Sequence, residues 1–230
     1  MDPVKTDRLP ELDLARLSVL PVSLQYQELW GMTRDFVPDN YNPFRARQLD
    51  IFNVQAGPLA LLSPTPPAQI MRDIAVQCRR SKKQRRMNLK VARGACRFVA
   101  ENKLEGERHD FLPLHLGAAG KVTYWLPMVV VIDGRPTVPF VNPRVGASLD
   151  PVSRRFVFSV MKERIRELGG DYADVRLAIL EFEKVMTHGV HKVLPYYDDG
   201  VDLYSFEDLE KMVKRVYETY AQVIIDRRAA

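Results

Sequence analysis

Nine cationic side chains crowd the stretch from Arg79 to Arg97: Arg79, Arg80, Lys82, Lys83, Arg85, Arg86, Lys90, Arg93 and Arg97. Guanidinium and ammonium groups are hydrogen-bond donors without acceptors, so a dense array of them suits phosphates or carboxylates on a polyanion. Extending the stretch back to Arg72 adds a tenth cation and one acid, Asp73, which gives the segment +9. The chain as a whole carries +5, leaving −4 for everything else. The positive charge is one element of a mildly acidic protein. Few aromatic residues interleave with the cations, so contact with phosphates is a more natural expectation than base stacking.

Other groups that could do chemistry are sparser. Asp174, Glu181 and Glu183 form an acidic set. On a strand Glu181 and Glu183 would share a face, and oxygen donors are what a hard Mg²⁺ ion takes. This trio is the fallback catalytic set; the competing reading makes VRLAILEFEK a core strand whose charges lie where it emerges into solvent. Arg154 and Arg155, near a helix start, are a secondary anion contact, against the alternative of two solvent-facing arginines flanking a buried Phe156. The four histidines and two cysteines show no closely spaced ligand pair, so no metal site is expected. The sequence contains no glycine-rich phosphate loop, G-x-S-x-G or H-E-x-x-H.

The elements that must position these residues read as follows. The first 65 residues, rich in proline and aromatics, suggest short helices at PELDLARLS and SLQYQELWG and then irregular chain around RDFVPDNYNPFRARQ. A helix opens near Pro66, with Thr65 as its cap. A second helical pattern runs from about Lys82 to Lys103. It places Met87, Val91, Ala95 and Phe98 on one side and Lys83, Arg86, Lys90, Arg93 and Arg97 on another. FLPLHLG reads as a short strand, and Asp133-Gly134 as the turn of a hairpin. Pro127, Pro136 and Pro139 suggest edges, bulges or strand ends. Asp150-Pro151 opens a helix to about Leu168, closed by Gly169-Gly170. A strand follows at VRLAILEF, a second pairs back on it through a turn at His188-Gly189, and Ser205 caps a last helix.

The sequence therefore describes an α/β (α+β) protein: a helix, then a mixed sheet in αβββαβ order, with an N-terminal helical and irregular extension and a C-terminal helix. The expected division is an extension over 1–65 packed on a single α/β domain over 66–230. An apolar fraction of 46% argues against disorder of the whole chain, and no apolar run is long enough for a membrane helix. With no apolar signal segment and two cysteines, a cytoplasmic location fits. A nuclear one stays open if the source is eukaryotic, since RRSKKQRR resembles an import signal.

From Lys82 to Glu183 this order resembles the core of the PD-(D/E)XK nuclease superfamily. The resemblance implies a Mg²⁺ site with an Asp on the second strand, often after proline, and an acid and a lysine on the third. Here Met128 follows Pro127, and VPFVNPR, around Phe140, has no acid. Glu101 or Glu105 alone would supply only a first-helix carboxylate. The resemblance thus implies a catalytically inactive, DNA-binding relative, in a DNA-processing or mobile-element assembly. DNA is the expected partner, with RNA as the lesser expectation and no cofactor. The alternatives are a Mg²⁺-dependent nuclease working through Asp174, Glu181 and Glu183, or a protein-interaction scaffold whose basic helix grips an acidic protein partner.

Overall fold

A computed structural model describes residues 6–32, 41–55, 63–185 and 190–229. Its first part holds α1 (Glu11–Ser18) and α2 (Val22–Gly31), then three short pieces: α3 (Asn42–Arg45), α4 (Gln48–Ile51) and β1 (Val54–Gln55). Next come α5 (Pro67–Gln77) and α6 (Lys82–Asn102). The start of α5 is one residue later than the sequence suggests: Pro66 takes extended angles at the cap and Pro67 opens the helix. The physical reason is the Pro-Pro pair, because a residue before proline is pushed out of the helical region. Thr65 is not the cap; its hydroxyl donates to Asp50 at 3.3 Å.

Ser81 separates α5 from α6. Its backbone is extended, at φ −140 and ψ 111, and its hydroxyl accepts the Gln84 amide at 3.2 Å. RRSKKQRR is therefore not one helix, since Arg79 and Arg80 lie in the connection before the cap. The α6 helix stops at Lys103, which takes a left-handed conformation at φ 50.

The remaining elements are β2 (Gly106–Arg108), β3 (Leu114–His115), β4 (Lys121–Val122), β5 (Met128–Ile132), β6 (Arg135–Asn142), α7 (Pro151–Ile165), β7 (Arg176–Lys184), β8 (His191–Tyr197) and α8 (Phe206–Ala229). The main sheet runs β1-β2-β5-β6-β7-β8, while β3 and β4 form a small sheet of their own. Only β1 with β2 and β6 with β7 pair in parallel. The α+β class and the αβββαβ order hold, as α6, β2, β5, β6, α7 and β7, but FLPLHLG, expected as the first of those strands, is β3 of the small sheet, and β2 takes its place in the main one. Asp133 and Gly134 both have positive φ, 53 and 73, the requirement of the two-residue hairpin between β5 and β6. The expected turn at His188-Gly189 lies outside the described residues. Ser205 caps α8: its hydroxyl accepts the Asp208 amide at 3.1 Å and donates to the Asp208 carboxylate at 2.7 Å.

Two prolines inside the interior strand β6 need an account, because proline cannot donate to a ladder. Pairing with β5 covers residues 135–137, and pairing with β7 begins at Thr137. Pro136 therefore lies before β7 begins, and Pro139 lies where β5 has already stopped. Pro136 has a neighbour on the β5 side only, while Pro139 meets β7 on one side and on the other only has to accept, its carbonyl taking the Leu126 amide at 2.8 Å.

Side-chain alternation gives the sheet two apolar faces. Leu177 and Ile179 of β7 join a core with α1, α2, α7 and α8, while Ala178, Leu180 and Phe182 join a second core with α3 to α6. The result is three layers, with the sheet in the middle. Residues 6–55 contribute to both outer layers. Asn88, fully buried on α6, fixes part of that contact: its side chain accepts the Phe44 amide at 3.0 Å. Among the described residues no helix is long and apolar enough to cross a membrane.

Candidate functional site

The cationic face of α6 is built by its own periodicity. Buried Asn88, Val91, Ala92, Gly94, Ala95, Phe98 and Val99 hold the helix against the sheet. At 100° per residue Lys83, Arg86, Lys90, Arg93 and Arg97 fall in a different sector. Arg79, Arg80, Lys82, Lys83, Arg85, Arg86, Arg93 and Arg97 are exposed, and Lys90 is half-buried. Arg97 spends its charge locally on Glu101, at 2.7 Å. The sequence from 79 to 97 contains no acidic residue, so the segment carries a concentrated positive charge.

That charge surrounds a cleft. Lys82, Lys83, Arg86 and Lys90 line a cavity of about 530 Å³ together with Tyr41, Met87, Val145 and His191. Burial first, then the charges of Lys90 and Lys184, hold the His191 imidazole below its ordinary pKa. Its Nδ1 is buried without a hydrogen-bond partner. A concave, cation-lined surface with an apolar floor can hold acidic side chains projecting from a partner.

The acidic trio does not assemble. Asp174 is exposed before β7 begins, and Glu181 lies near the strand's other end, about 20 Å away at strand rise. Glu183 is exposed, whereas Glu181 is 1% exposed. One Glu181 oxygen accepts the Asn142 side-chain amide at 3.0 Å and the Leu149 backbone amide at 2.8 Å. The other has no hydrogen bond and stands 3.9 Å from Arg154. Glu181 thus ties down the loop between β6 and α7. Among the described residues no three His, Cys, Asp or Glu side chains converge as a metal-binding group.

Arg154 and Arg155 do not form an open anion contact either. Arg154 lies over the Tyr196 ring at 3.8 Å. Arg155 lies over Tyr204 at 3.9 Å and bonds Asp202 at 2.7 Å. The N-terminus of α7 is already occupied by Asp150, which accepts the Ser153 amide at 2.8 Å. Burial pushes the Asp150 pKa up, but the bonds from Ser153 and Val152 outweigh it and leave the carboxyl below its usual range. Burial alone raises the Cys96 thiol to about 11, which makes it a poor nucleophile.

Sequence reasoning missed a second concave site. A cavity of about 420 Å³ gathers Leu12, Arg45, Gln48, Trp125, Phe140 and Arg144 from four separate stretches of chain. The only local signal was RAR at 45–47, and nothing in the spacing joined it to Arg144.

Comparison with known proteins gives two findings. The family described as "Sliding clamp-binding bacterial toxin SocB" matches residues 12–230. The "DNA replication inhibitor toxin SocB" of Caulobacter vibrioides (strain NA1000 / CB15N) is 27% identical over 224 residues, 97% of this chain and 93% of that protein. No solved structure matches. The family match overturns the PD-(D/E)XK resemblance, and with it the pseudo-nuclease, mobile-element and nuclease readings. It overturns DNA as the main partner as well. The error has a physical source. Element order is shared by unrelated functions, and a cationic helix attracts protein carboxylates as readily as phosphates.

Proposed function

The chain belongs to the SocB family of sliding clamp-binding bacterial toxins, and on that premise we propose that it inhibits DNA replication by binding a sliding clamp. It is a protein-binding module, and its contact surface is the cationic face of α6 with the cleft beside it. Arg79, Arg80, Lys82, Lys83, Arg85, Arg86, Lys90, Arg93 and Arg97 supply the charge, and Tyr41, Met87 and Val145 supply apolar contact within the cleft. The observation that carries this surface is the concentration of +9 on one segment of a chain that is otherwise net negative. A partner surface rich in carboxylates would be steered to it, with an association rate that falls as salt rises.

The test is direct binding of the purified protein to the sliding clamp of its own organism, by surface plasmon resonance at several salt concentrations. The intact protein should bind, and more weakly as salt increases. Reversing Lys83, Arg86, Lys90 and Arg93 to Glu should weaken binding at least tenfold and flatten the salt dependence. Lys83, Arg86 and Arg93 are exposed and Lys90 is half-buried at the cleft, outside the buried face of α6, so the thermal midpoint should stay within a few degrees. No binding by the intact protein refutes the partner. Full-strength binding by the reversed variant, with unchanged salt dependence, refutes the surface.

A further inference from the structure

The cavity missed by the sequence adjoins the cationic cleft at Tyr41, which lines both. Its walls come from the start of α1, the α3–α4 stretch, the chain entering β5, and β6 with its following loop. Leu12, Trp125, Leu126, Phe140 and Val141 give it an apolar body.

Charge in and around this cavity is unevenly matched. Arg144 is bonded to Asp13 at 3.0 Å, and both side chains are largely buried. Glu11 is bonded to Arg8 at 2.6 Å. Arg45 remains: it lines the cavity, is exposed at its rim, and makes no ion pair or hydrogen bond through its side chain among the described residues. Burial, acting against its charge, lowers its pKa, and the nearby Arg144 charge adds to this while Glu11 opposes it. A guanidinium stays protonated even so. The site therefore has one uncommitted positive charge.

Gln48 supplies the second unmatched group. It is 6% exposed, lines the same cavity, and its carboxamide makes no hydrogen bond among the described residues. Its amide atoms are not sealed in the core but face the open space of the cavity, where a ligand can meet them. A carboxamide both donates and accepts, which is the complement of a peptide group.

The geometry points to a binding site for a C-terminal apolar amino-acid residue: its α-carboxylate on Arg45, its peptide group on Gln48, and its side chain against Trp125 and Phe140. The unpaired cation of Arg45, the carboxamide of Gln48 and the apolar walls match a carboxylate, a peptide bond and a hydrocarbon side chain. The same chemistry is offered by a peptide C-terminus and by a small N-acylated amino acid, so the test carries both. The site is independent of the α6 face and stands whether or not that face binds a clamp.

Binding is read from the fluorescence of Trp125, in a Trp30→Phe background that leaves it the sole tryptophan. The probes are Ac-Ala-Ala-Leu with a free acid, the same peptide as C-terminal amide, and N-acetyl-leucine. The free-acid peptide should saturate the signal, and the amide should bind at least tenfold more weakly. Arg45→Gln, at an exposed position, should leave the denaturation midpoint in place and remove the preference for the acid. N-acetyl-leucine binding within threefold of the peptide assigns the site to a small carboxylic acid; tenfold weaker binding assigns it to a chain terminus. Equal binding of acid and amide, a preference that survives Arg45→Gln, or no signal with any probe at millimolar concentration overturns the inference.

Discussion

Gly94→Ala places two forces of opposite sign at one position. Gly94 lies inside α6, where replacing glycine by alanine ordinarily gains about 1 kcal/mol from helix propensity. Here a Cβ would sit 2.1 Å from the backbone oxygen of His191 and 3.1 Å from its carbonyl carbon. The obstruction is the backbone of β8, not the end of a flexible side chain. Either α6 or β8 must move by roughly 1 Å, and overpacking of this kind costs about 1–3 kcal/mol, more where two backbones resist. The net expectation is a loss of at least about 1 kcal/mol, which for a chain of this size is about 2–4 °C in melting temperature. Urea denaturation compares Gly94→Ala with Gly31→Ala, where a Cβ meets nothing within 4 Å. The first should unfold earlier at unchanged m-value, and the second should not. A later midpoint for Gly94→Ala would refute the close packing of α6 on the sheet, and with it the placement of the cationic face.

Two further outcomes concern buried polar groups. Glu181→Ala leaves the Leu149 amide without its acceptor and removes one of two from the Asn142 side chain; the expected cost is about 1–3 kcal/mol per orphaned donor, and an unchanged urea midpoint would refute the loop-fixing role. His191 has a folded pKa below its unfolded value of about 6.5, so the unfolded chain binds the proton first and stability falls as pH drops below about 6.5. His191→Gln should remove that part of the slope between pH 7.5 and 5.5, and identical pH profiles for the two proteins would count against it.

Much of the architecture was written in local signals. Ser205 with Asp208, Asp150 with Pro151, and Asp133-Gly134 each act within three or four residues, and each marks the boundary the structure shows. The 3.6-residue spacing of Val91, Ala95 and Phe98 identified a helix face because burial repeats with the geometry of the element, and the unbroken run RLAILEF read as a core strand because both of its faces are covered. Thr65 failed as a cap because the Pro-Pro pair moved the helix start, a neighbour effect that composition alone hides.

The sequence by itself determined that charge is concentrated near α6 and that the helix has separate apolar and cationic faces. Only the tertiary structure decided what surrounds each of these. It set Asp174 apart from Glu181 at opposite ends of a strand and covered Arg154 and Arg155 with rings and carboxylates. It also brought Arg45, Gln48, Trp125 and Arg144 to one cavity. Periodicity within a helix or strand follows from bond geometry and can be read along the chain, whereas the meeting of residues 45, 125 and 144 depends on how layers pack, which no local spacing encodes.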